Sequence, residues 1–186
     1  MPDRDAIIAE GIRHREEHRD PATMRGVDRI EITVAEGLSY EARNPHEPDG
    51  AMRVGEPIAR GGDGSGASPL SHFLTGAGSC LLNQFVRVAI TERLPLRFLG
   101  ASVRGEFRRE AGGRIQRIAC EVHATGSIDE STAEALMVRA ERLCYVHQTL
   151  VAAVEMTTTL VVDGRTVAHH VDGPDPALSR APRSPG

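Results

Sequence analysis

Cys80, Cys120 and Cys144 are the residues of this 186-residue chain whose type and spacing could carry chemistry. An odd count argues against a disulfide framework in a reducing compartment, so each is either a small buried hydrophobe or a reactive thiol. Cys80 follows Thr75-Gly76-Ala77-Gly78-Ser79 in a segment that reads as helix. At 3.6 residues per turn, Phe73, Gly76, Gln84 and Arg87 share its face. Two glycines inside a helix cost about 1 kcal/mol each relative to alanine. Close approach of another backbone would offset that cost and enclose the thiol; tight packing alone would also explain it. Cys144 lies in Arg142-Leu143-Cys144-Tyr145-Val146-His147-Gln148-Thr149-Leu150. A helix break near Leu143 would put it at a new helix N-terminus, whose N–H groups favour a thiolate, with His147 three residues on. A continuous helix would instead bury the thiol and expose His147. Mid-helix Cys80 needs another source of positive charge. Arg87 on the same helix, and Arg43, Arg53 and Arg60 on the preceding strands and loop, are the candidates. Cys144, His147, Cys80 and His72 also make a conceivable metal set, but structural zinc sites show clearer paired spacing than a single Cys-x-x-His; no metal is expected.

Composition removes several other chemistries. All 22 basic residues are arginine, which excludes Schiff-base, pyridoxal-phosphate and Walker-type lysines. The net charge of -4 and a pI near 6.1 argue against a nucleic-acid surface, which needs a basic stripe to release phosphate counterions. Without Trp, and with two Tyr and four Phe, stacking platforms for bases are not expected either. No run approaches the ~18 apolar residues that would cross a bilayer. The first twenty residues are too charged for a signal peptide, so the expected compartment is the cytoplasm. Gly61-Gly62-Asp63-Gly64-Ser65-Gly66 lacks the lysine and spacing of a phosphate loop, and no cofactor is expected.

The elements that must position the thiols follow from periodicity. Residues 3–19 read as a charged helix with a thin Ile7, Ile8, Ile12 stripe, part of an N-terminal extension over 1–29. Ile30, Ile32 and Val34 alternate with polar residues as in a half-buried strand. Residues 38–43 and 52–58 read as two further strands around a turn-rich stretch at 44–50. Ser68-Pro69 starts a helix running to about Thr91, apolar on nearly all sides and so expected to be buried and central. Two strands, 97–109 and 114–125, flank Ala111-Gly112-Gly113, a hairpin signal. Ser127-Ile128-Asp129-Glu130 has the pattern of a capping box for the next helix, with Ala133, Leu136, Met137 and Ala140 inward. A helical segment over 143–154 and a strand over 156–162 close the domain, and a disordered tail is expected over 171–186. Strands, one long helix, strands, helices and a strand make an α+β fold over 30–170.

The run Gly55-Glu56-Pro57, Gly61-Gly62-Asp63-Gly64 and Ser68-Pro69-Leu70-Ser71-His72-Phe73-Leu74-Thr75-Gly76-Ala77-Gly78-Ser79-Cys80 resembles the OsmC/Ohr family. So does Cys144-Tyr145-Val146-His147-Gln148-Thr149-Leu150, which is similar to that family's C-P-V-H-x-T-L segment. The separation of 64 positions between the two cysteines is family-like. The resemblance covers about 30–162. It implies antiparallel sheets wrapped around long central cysteine-bearing helices, in an intertwined homodimer with two sites between subunits. It also implies a thiol-dependent peroxidase acting on organic hydroperoxides, with Cys80 peroxidatic, Cys144 resolving and a dithiol reductant restoring the pair. The chemistry suits these residues, because sulfenic acid is the reversible rung of cysteine oxidation and a resolving thiol protects it. Cys120 has no counterpart in the resemblance and reads as core. The sequence departs from the family where a Glu nine or ten residues before the first cysteine is replaced by Ser71 and Leu70, and where the Pro after the second is Tyr145. These departures keep a second reading open, an OsmC-like dimer without peroxidase activity that binds a small apolar ligand between subunits.

Overall fold

The computed structural model describes residues 4–17, 28–108 and 114–173. Helix α1, Arg4–Glu17, matches the charged segment read at the N-terminus. The expected hairpin turn at 111–113 and the tail from 174 onward lie outside the described residues. The described residues fall into two compact units, those within 15–75 and a second formed by those before 15 with those from 76 onward.

In the first unit β1 (Glu31–Glu36), β2 (Ser39–Asn44) and β3 (Glu47–Gly55) form an antiparallel meander in that order. The turn before β3 is tighter than its Pro- and Gly-rich composition suggests. Asn44 Oδ1 accepts from the His46 N–H at 2.9 Å, so only Pro45 and His46 separate the paired Asn44 and Glu47. β1 departs from the half-buried strand its alternation predicts, since Ile32 and Val34 are 68% and 65% exposed in the single chain. After β3 comes a short 3-10 turn, Ile58–Arg60. The glycine loop then folds back on the strand: Gly55 donates to Ala67 O at 3.0 Å, and Asp63 Oδ1 accepts from Ser65 N at 2.8 Å. Gly62 is required there, because a Cβ would lie 1.8 Å from Glu56 O.

Helix α2, Pro69–Thr91, starts where Ser68-Pro69 predicts. It is not buried all round. Ala77, Gly78, Leu81, Phe85, Val88 and Ala89 form one buried stripe at helical spacing, while Phe73 is 42% exposed. By length and composition this helix is also apolar enough to cross a bilayer, against the expectation that no segment approaches that; a third of the qualifying stretch is buried within the protein.

In the second unit β4 (Leu96–Arg108), β5 (Arg114–Gly126), β6 (Glu155–Val162) and β7 (Arg165–Asp172) form one sheet in that order. The sheet is mixed, which corrects the expectation of purely antiparallel sheets. β5 leads into α3 (Glu130–Leu143) and α4 (Tyr145–Leu150), and such a helical crossover returns the chain parallel to the strand it left. The cap of α3 is Asp129, whose Oδ1 accepts from Thr132 N at 2.7 Å; Ser127 does not cap it. β7 is an additional strand, and it extends to Asp172, past the position where tail-like composition begins. The buried stripe of α2 packs with Val122, Ala124, Leu136, Met137, Leu160 and Val162 into one core. Phe85 and Phe98 meet in it with ring centroids 6.1 Å apart. Gly78 shows why small residues precede Cys80: a Cβ there would lie 2.2 Å from Val103 Cγ2, so the helix rests directly on β4. Gly76 has open space around it and needs no such explanation.

Candidate thiol site

Two of the three cysteines meet. Cys80, half-buried in the middle of α2, and Cys144, fully buried, have their sulfur atoms 3.3 Å apart. Cys144 occupies a one-residue break. It is the C-cap of α3 and the N-cap of α4, with φ -84° and ψ 109°. Its N–H donates to Glu141 O at 3.2 Å, and its sulfur accepts from His147 N at 3.4 Å. The break is the arrangement that would favour a thiolate, yet the balance goes the other way. Burial pushes the Cys144 thiol from its ordinary 9.0 up to about 12; the His147 N–H opposes this, and the bond to Cys80 adds to it. Cys144 therefore keeps its proton at neutral pH and directs the S–H at the sulfur of Cys80.

Cys120 lies on β5, buried between Val103 of β4 and Thr158 of β6. Burial, aided by the charge of Glu141, raises its thiol to about 11. These two thiols predict an alkaline limit to stability. Both are raised in the folded chain, so the contribution of their neutral forms is complete below pH 9. It declines as pH rises from 9 toward 11 for Cys120 and 12 for Cys144, by up to about 1.4 kcal/mol per pH unit for each thiol, and is lost above those values. Urea melts from pH 8 to 11 should show this decline, and Cys120→Ala should flatten it; a parent curve that stays level refutes the assignment.

His147 is buried, contrary to the exposed position a continuous helix would give it. Neither ring nitrogen has a hydrogen-bond partner among the described residues, and the carboxylate oxygen Asp172 Oδ2 stands 3.8 Å from Nε2. Burial lowers its pKa against the pull of Glu141 and Asp172, so the ring is neutral at neutral pH. Among the described residues no three or more His, Cys, Asp or Glu side chains are grouped to hold a metal ion. Of the arginines considered for Cys80, Arg43 is paired with Glu41 at 2.5 Å and Arg60 with Glu56 at 3.6 Å. Arg53 lies on β3 and Arg87 is half-buried on α2. His72 donates its Nε2–H to Arg53 O at 3.0 Å. Ser71, at a position where a carboxylate was expected by resemblance, is bonded to the Ser68 side chain at 2.9 Å.

One buried group escaped the sequence reading. Glu141 on α3 is 3% exposed, with its Oε2 2.5 Å from His170 Nδ1 on β7. Its position offered a signal, since it lies four residues after Met137 and eight after Ala133, on the inward stripe.

The sequence model of the OsmC-like protein family matches residues 62–159, more than half of the chain. The chain belongs to the OsmC-like family. The matched segment contains both Cys80 and Cys144. Solved structures share the OsmC-like fold at low sequence identity. An OsmC-like protein from Mycoplasma pneumoniae is 16% identical with a TM-score of 0.65, over 75% of this chain and 99% of that one. An organic hydroperoxide resistance protein OsmC from Legionella pneumophila is 15% identical with a TM-score of 0.57, over 74% and 98%. The organic hydroperoxide resistance protein OhrB of Bacillus subtilis is 18% identical with a TM-score of 0.53, over 71% and 97%. No protein of curated function matches the chain in sequence.

Proposed function

We propose that this OsmC-like chain is a cytoplasmic thiol peroxidase that reduces organic hydroperoxides to alcohols. The observation that carries this reading is the 3.3 Å separation of the Cys80 and Cys144 sulfurs. The Cys80 thiolate attacks the distal peroxide oxygen; the O–O bond breaks, the alcohol leaves with a proton, and Cys80 becomes a sulfenic acid. The Cys144 sulfur then attacks the Cys80 sulfur, releasing water and forming a disulfide. A dithiol reductant returns both thiols by exchange and is itself oxidised to a disulfide. A buried, protonated Cys144 fits the resolving role, because it leaves the first attack to the more accessible Cys80. The names of the Legionella and Bacillus relatives point the same way.

The active form is a homodimer in this reading. Ile32 and Val34 on β1, and separately Leu99 and Tyr145 in the second unit, are large apolar groups left more than 60% exposed in a single chain. A scattered exposed leucine needs no explanation, but this many large groups in one small protein favour a covering partner. A mass of twice 20.0 kDa by light scattering is expected.

The replacement of the expected carboxylate by Leu70 and Ser71 favours the second reading, an OsmC-like dimer that binds a small apolar molecule. Thiol counting separates the two. Reduced protein mixed with cumene hydroperoxide should lose two of its three thiols per chain. Loss no faster than in a denatured control overturns the peroxidase reading.

A further inference from the structure

We propose that Glu141 is the positioning residue of the thiol pair, tying the helix break at Cys144 to β7 through His170 and so holding the Cys144 sulfur within bonding reach of Cys80. The inference rests on Cys80 and Cys144 working as a pair. Glu141 holds the break from two sides. Its main-chain carbonyl accepts both the Cys144 N–H and Gln148 Nε2, each at 3.2 Å, so from the end of α3 it binds the interrupting residue and one in the helix beyond it. Its carboxylate crosses to β7, where Oε2 is 2.5 Å from His170 Nδ1. The same strand carries Asp172 toward His147, the residue whose N–H meets the Cys144 sulfur. A carboxylate this deeply buried is costly unless it is paired, and its Oε1 has no partner among the described residues. An apolar side chain would fill the α3 stripe more cheaply. An acid there is accounted for by what it fastens.

Disulfide equilibrium tests this. The full chain and its variants are equilibrated in glutathione buffers, and the Cys80–Cys144 bond is measured by alkylation and mass spectrometry. Two protein thiols lose two electrons and two protons to glutathione disulfide, which becomes two glutathione thiols. E141A and H170A should each shift the equilibrium about tenfold toward the dithiol, while E141Q, which still accepts from His170 Nδ1, should stay within about threefold of the parent. A purely structural role would lower the melting temperature of E141A without moving this equilibrium. The His170 side chain is 44% exposed, so H170A provides the test if E141A does not fold. If the parent closes the bond and H170A closes it equally well, the positioning role is refuted while the thiol pair stands. If the parent forms no such disulfide in any buffer, the pair fails and the positioning role with it.

Discussion

On the proposed mechanism, Cys80→Ser should lower hydroperoxide reduction by about three orders of magnitude or more, because it removes the sulfur assigned to the first attack. Cys144 cannot substitute, as burial holds its thiol at about 12 and leaves almost no thiolate at neutral pH. Cys120 is buried on β5, with its thiol held at about 11. Cys144→Ser should behave differently. On the same proposal the first attack should proceed, so one equivalent of cumene hydroperoxide should be consumed in a burst, and turnover should then stop for lack of a resolving thiol. With excess peroxide, Cys80 should climb from sulfenic to sulfinic acid, read by intact mass as the gain of one and then two oxygens. A Cys80→Ser protein that still reduces peroxide, or a Cys144→Ser protein with no burst, contradicts the assignment of roles.

Gly78→Ala should destabilise the protein despite placing a better helix former in α2. The propensity gain is about 1 kcal/mol. Against it stands a methyl 2.2 Å from Val103 Cγ2, where about 3.5–4.0 Å is normal contact. Valine is stiff about χ1, so the helix must move off β4, and overpacking of this kind costs about 1–3 kcal/mol. The net loss should lower the melting temperature by about 2–4 °C per kcal/mol lost. Because Cys80 is two residues further along, the same displacement should slow disulfide closure. Adding Val103→Ala removes the clashing methyl, so the double variant should recover part of both losses. Strictly additive effects in this cycle would show that the contact does not matter.

The parts of the fold legible in the sequence were those set by local rules. Ser68-Pro69 marks the start of α2, and the α3 stripe from Ala133 to Ala140 points inward as its spacing implies. β7 is not among the strands that the sequence analysis reads, although its signal is present. Asp163-Gly164, both at positive φ, is a two-residue hairpin turn, and the Thr, Ala and His residues after it obscured the strand. The one-residue break at Cys144 could be posed only as a condition, because neither Leu143 nor Tyr145 is a helix breaker. The meeting of Cys80 with Cys144 came from the resemblance, since contacts 64 residues apart leave no local trace. Burial of Glu141 and His147 was illegible for a related reason: whether a polar residue near the edge of an apolar stripe faces water depends on the strand laid against it.

The interruption between α3 and α4 also determines which side must yield when the sulfurs join. Bonding shortens their spacing from 3.3 Å to about 2.05 Å. On the Cys80 side the backbone is locked turn by turn within a 23-residue rod that lies against Val103. The travel of roughly an ångström therefore belongs to the elbow at Cys144, which can swivel its side chain about a single non-helical residue. The oxidised and reduced proteins should accordingly differ most in the amide signals of residues 141–148, while the middle of the rod keeps its register.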